Sequence, residues 1–80
     1  MKIEVLGTGC TNCNIAEAVV RDAVAQSGIP VDVVKISNRL EIARSGVPMT
    51  PAVLVNGNIK LVGRIPRVED VLAWINEYRG

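Results

Sequence analysis

Gly7-Thr8-Gly9-Cys10-Thr11-Asn12-Cys13 contains both cysteines of the chain. Before it the residues alternate like a strand, and after it they follow a helical period, so the two thiols fall at a strand-to-helix junction. The N–H groups of a first helical turn have no partners inside the helix, and the helix dipole adds partial positive charge there. A thiolate is stabilised in such a field. The first reading is dithiol–disulfide exchange through Cys10 and Cys13. Soft-metal sites place thiols in the same way, and the stretch by itself serves both chemistries.

The composition narrows the classes. The 80 residues read as one domain, 1–80. Hydrophobic residues make up 49%, yet Trp74 and Tyr78 are the only aromatics, so the core is expected from Val, Ile, Leu and Ala. A net charge of +1 leaves no basic footprint for nucleic acid. No stretch is long and apolar enough to cross a membrane. Glu4 interrupts any secretory core in Met1-Lys2-Ile3-Glu4-Val5, and a cytoplasmic protein is expected. In that compartment two cysteines are more often catalytic or metal-binding than a structural staple. Histidine is absent, which removes Cys–His and Ser–His nucleophiles and any His-bearing zinc site. No cofactor is expected.

Outward from the cysteines, Lys2 to Leu6 reads as a strand with Ile3 and Val5 on one face. Gly7-Thr8-Gly9 is a loop whose glycines permit close approach of the backbone to a partner. Thr11 to about Ser27 is a helix with Ile15, Val19, Val20, Ala23 and Val24 as its apolar stripe. Glu17 and Arg21 form an i,i+4 pair in the favourable order. Gly28 stops the helix, and Pro30 follows it. Val31 to Ile36 is a second strand. Ser37 or Asn38 caps a short helix over Arg39 to Ser45, with Leu40, Ile42 and Ala43 as a weak apolar face. Val47-Pro48-Met49-Thr50-Pro51 excludes helix and central strand. Ala52 to Val55 and Asn58 to Val62 flank Asn56-Gly57, a two-residue hairpin signal. Pro66 is placed to open a last helix that runs to about Tyr78. Its buried face is Val68, Val71, Leu72 and Ile75, Trp74 is partly buried, and Gly80 closes the chain.

The fold class is therefore α/β, in the order β-α-β-α-β-β-α. A parallel strand–helix–strand unit joined to an antiparallel hairpin gives a mixed four-stranded sheet with helices on both faces.

With these elements placed, the chain resembles a minimal thioredoxin fold. Three motifs carry the likeness: Cys10-Thr11-Asn12-Cys13 between first strand and first helix, Thr50-Pro51 before the hairpin, and Gly63 after it. Gly7-Thr8-Gly9-Cys10, Thr50-Pro51-Ala52 and Gly63-Arg64-Ile65-Pro66 are similar to the small glutaredoxin-like thioredoxins of archaea and bacteria. Thr11-Asn12 stands where typical thioredoxins have Gly-Pro, and the Gly-Gly-plus-Asp pattern that grips glutathione in common glutaredoxins is absent.

The resemblance implies a protein-disulfide reductase. Cys10 attacks a target disulfide, and Cys13 resolves the mixed disulfide. Thr50, cis-Pro51 and Gly63 bind an extended target segment. Thr8 and Arg64 lend hydrogen-bonding and electrostatic support. The implied partners are disulfide-containing proteins and a thioredoxin-reductase-like flavoprotein donor, with the chain itself a monomer. Each residue has a plainer alternative. The cysteines serve as small buried hydrophobes, Pro51 as a trans loop proline, Gly63 as a strand-end glycine and Arg64 as a solvated cation, while Glu4 reads as an exposed strand carboxylate in preference to a proton relay under the site.

A Cu(I)-binding module is the rival from another class. It is disfavoured because Thr8 occupies the position of that family's Met. The second helix before the hairpin, and the helix at the end, also depart from its β-α-β-β-α-β order.

Overall fold

In β1 (Lys2–Leu6) successive side chains serve two cores, because neighbours on a strand point to opposite faces. Ile3 and Val5 enter one cluster and Leu6 the other. The computed structural model describes residues 1–78, so Gly80 lies outside the described residues. After β1 come α1 (Thr11–Ser27), β2 (Asp32–Ile36), α2 (Arg39–Ser45), β3 (Ala52–Val55), β4 (Asn58–Val62) and α3 (Val68–Tyr78). The order is the expected one.

The sheet runs β2-β1-β3-β4. β1 pairs parallel with β2 and antiparallel with β3, and β3 pairs antiparallel with β4. Asn56 and Gly57 both take positive φ, 49° and 85°, which is what a two-residue primed turn demands of its centre. Between Val53 and Leu54 the register slips: Leu61 faces Val53 and Ile59 faces Leu54, which makes Lys60 the extra residue. Its ammonium reaches Glu77 of α3 at 3.2 Å and lies 5.0 Å from the centre of the Tyr78 ring.

α1 and α3 share one face of the sheet. Ala16, Val20 and Ala23 of α1 and Val71 and Ile75 of α3 close over Ile3, Val5, Val53, Val55 and Leu61. α2 lies on the other face, where Ile42 packs with Leu6, Ala52 and Leu54. α2 buries no residue completely, and Asn38 holds its start by accepting from the N–H groups of Leu40 and Glu41.

Three local expectations need correction. The buried stripe of α1 is Cys13, Ala16, Val20 and Ala23, whereas Ile15 is 43% exposed and Val19 and Val24 are half-buried. Small side chains let the helix come close to the sheet, so the smaller residues win the inward face and Ile15 is turned to its flank. β2 begins at Asp32, one residue later than expected. Pro66 does not open α3. The N–H of Arg67 donates to the Asp70 carboxylate at 3.1 Å and its carbonyl accepts from Val71, so Arg67 caps the helix and Pro66 is buried just outside it.

Candidate active site

Cys10 is the N-cap of α1, with extended backbone (φ −67°, ψ 164°). A cap residue offers its side chain to the free N–H groups of the first turn. Here the acceptor is sulfur: the N–H of Cys13 donates to Cys10 Sγ at 3.1 Å. The Cys10 carbonyl accepts from Asn14 N–H at 3.0 Å, which starts the helix. Cys10 and Cys13 form a disulfide, with their Cα atoms 5.0 Å apart. Cys10 is exposed, whereas Cys13 retains only 2% of its surface.

Cys13 is buried against Gly7. A Cβ at Gly7 would fall 2.5 Å from Cys13 Sγ and 2.6 Å from Cys13 Cβ, so no larger residue fits there without movement. The backbone of Gly7 is itself fixed, its N–H donating to the Ile36 carbonyl at 2.9 Å and so extending the β1–β2 ladder.

The sheet register brings the second motif to the same end. Leu6 faces Ala52, and Ala52 faces Val62. One step further along these ladders, Gly7, Pro51 and Gly63 form a row. The N–H of Gly63 donates to the Pro51 carbonyl at 2.8 Å, which closes that end of the row. The Thr50–Pro51 peptide bond is cis. Pro51 is buried, Thr50 half-buried and Gly63 exposed.

Two of the named residues stand further out. Thr8 is exposed on the loop before Cys10. The Arg64 side chain is 65% exposed, and its guanidinium lies 4.0 Å from the Asp70 carboxylate, at the edge of favourable pairing. A helper of the active-site loop was not foreseen. The Asn14 side-chain amide donates to the Gly9 carbonyl at 3.4 Å, and its oxygen accepts from Lys35 at the same distance. The sequence makes Gly7 a loop glycine open to a partner, but the group that approaches it is the protein's own Cys13. A glycine ending a strand just ahead of a Cys-x-x-Cys pair is the sequence sign of that contact. For Asn14 no such sign exists, because a polar residue in a first helical turn is ordinary.

What the arrangement can do follows from the sulfurs. They differ in access, they sit one helical turn apart, and the outer one already accepts from a backbone donor. That is the geometry of thiol–disulfide exchange. Among the described residues no group of three or more Cys, Asp or Glu side chains is placed to hold a metal ion.

Comparison with known proteins agrees with this chemistry. A family model described as a thioredoxin domain matches residues 1–76. A thioredoxin of Methanothermobacter thermautotrophicus is 37% identical over 71 residues, covering 89% of this chain and 92% of that protein. A thioredoxin of Methanocaldococcus jannaschii is 37% identical over 76 residues, covering 95% of this chain and 87% of that protein.

Proposed function

The chain belongs to the thioredoxin domain family and is a thiol–disulfide oxidoreductase, and from that premise we propose a role for each residue of the site. Cys10 is the attacking sulfur and Cys13 the resolving one. The observation that carries this reading is their unequal access: Cys10 is exposed and Cys13 is 2% exposed. In the reduced protein the Cys10 thiolate attacks one sulfur of a target disulfide. A Cys10–target bond forms, the target S–S bond breaks, and the departing sulfur takes a proton from water. Cys13 then attacks Cys10 Sγ, the Cys10–target bond breaks, and the Cys13 proton passes to the target sulfur that leaves. The Cys10–Cys13 bond forms, and the target leaves with its second thiol. Two electrons and two protons have passed to the target. The Cys13 N–H, 3.1 Å from Cys10 Sγ, supports the thiolate that begins this reaction.

The row beside the sulfurs supports a binding role for Thr50, Pro51 and Gly63. An extended target segment lies along it and presents its disulfide to Cys10. Arg64, at the end of the row, lends its positive charge to the Cys10 thiolate, and Thr8 offers its hydroxyl from the loop before Cys10. The partners are disulfide-containing proteins and a reductase-type donor, for which a thioredoxin-reductase-like flavoprotein is the specific candidate. The protein acts as a cytoplasmic monomer, in a compartment that keeps its thiols reduced.

The test is turnover. With a dithiol as electron source, the protein is expected to reduce a disulfide-bonded protein, and Cys10→Ser to lower the rate to background. Wild-type turnover in both Cys10→Ser and Cys13→Ser would overturn the reading.

A further inference from the structure

Met49 is a large apolar side chain that belongs to neither core cluster. It is 56% exposed, although Pro51, two residues on, is buried. Its sulfur nevertheless has a defined seat. A Cβ at Gly63 would fall 2.5 Å from Met49 Sδ, 3.0 Å from its Cγ and 3.5 Å from its Cε. The thioether therefore lies along the bare Cα of Gly63, the same residue whose N–H is tied to the Pro51 carbonyl at 2.8 Å. One side of Met49 covers the Gly63 end of the row and the other side faces water.

We propose that Met49 is the specificity-determining residue of the target row, forming an apolar lip over Gly63 that packs on an apolar side chain next to the target's cysteine. This rests on the reading that targets bind along Thr50, Pro51 and Gly63. A methionine suits the task because it is unbranched, has a polarizable sulfur and adapts to differently shaped partners. An apolar target side chain removes the exposed thioether from water. A carboxylate in the same place is desolvated against sulfur and methylene groups. The selection is therefore for target chemistry at one position, separate from the exchange step at Cys10.

The experiment uses two extended peptides, identical except for Leu or Asp beside a cysteine held in a mixed disulfide with a chromogenic thiol. The pre-reduced protein is mixed with each, and the single-turnover rate is followed against peptide concentration. The readout is the preference, the Leu-peptide rate over the Asp-peptide rate at low concentration. Met49→Gln keeps the length of the side chain and removes its apolar end. It is expected to lower the preference about tenfold, the scale of covering part of one thioether with one leucine. The loss is expected in the half-saturating concentration and not in the limiting rate. Met49→Leu is expected to hold the preference within about twofold. An unchanged preference in Met49→Gln, or an equal loss in Met49→Leu, would overturn the proposal. Failure of the underlying reading has a different signature: without binding along the row, the native protein itself would show neither a half-saturating concentration nor a preference between the peptides.

Discussion

Cys13 Sγ rests on the Cα of Gly7, and this one contact sets how deep the inner sulfur lies. Replacing Gly7 with Ala puts a methyl group 2.5 Å from that sulfur, between a helix and a backbone already bonded to Ile36. Overfilling a packed site of this kind costs about 1–3 kcal/mol. Urea denaturation of oxidised Gly7→Ala is expected to show that loss, and native stability would refute the contact. The cysteines themselves were legible in the sequence, because their spacing and the helix start after them are both local patterns. Cys10 as a sulfur cap accepting from Cys13 N–H was legible for the same reason. The lip of Met49 over Gly63 was not. It joins residues fourteen positions apart whose meeting depends on how β3 and β4 end.

α1 carries both cysteines at its start, and a small ionic group ties its second turn to the sheet. Glu17 bonds Arg21 at 3.0 Å along the helix and lies 3.5 Å from Lys35 of β2. The hydrogen bond from Arg21 is the main cause that holds the Glu17 carboxyl below its ordinary value of 4.5, with the Lys35 charge acting in the same direction. A carboxyl whose folded value is depressed stabilises the fold above its unfolded value. That contribution disappears as pH falls through the folded value. Thermal melts of native protein and Glu17→Gln are therefore expected to differ at pH 7 and to converge as pH drops below about 4.5. The effect is small because the pair is solvated. A constant gap across that range would count against it. The Arg21 partner was readable from i,i+4 spacing. Lys35 was not, because it arrives from a strand whose placement beside α1 depends on the crossover. Two other elements show the same boundary between local and tertiary information. The inward face of α1 followed closeness to the sheet more than side-chain size, and α3 began where Asp70 could reach Arg67 N–H, not at the nearest proline.

At the scale of the molecule, the order of elements and the mixed sheet were readable because each rests on a short-range signal. These are the alternation of β1, the glycine stops, the Asn56-Gly57 turn and the periodicity of α1 and α3. A site role for Pro51 and Gly63 was expected only through family resemblance, and the row they form with Gly7 was not foreseen. It depends on the β2-β1-β3-β4 order and on register, and neither is written in local pattern. The fold thus delivers an exposed sulfur, a buried sulfur and a backbone rim to one end of one sheet. The proposed division of labour between the two sulfurs is tested most directly by covalent trapping. Reduced Cys13→Ser is mixed with a disulfide-bonded target and read by intact mass without reductant. The predicted result is a one-to-one adduct through Cys10 that a dithiol releases, and no adduct from Cys10→Ser. An adduct through Cys13 in the Cys10→Ser protein, with none at Cys10 in the Cys13→Ser protein, would contradict it.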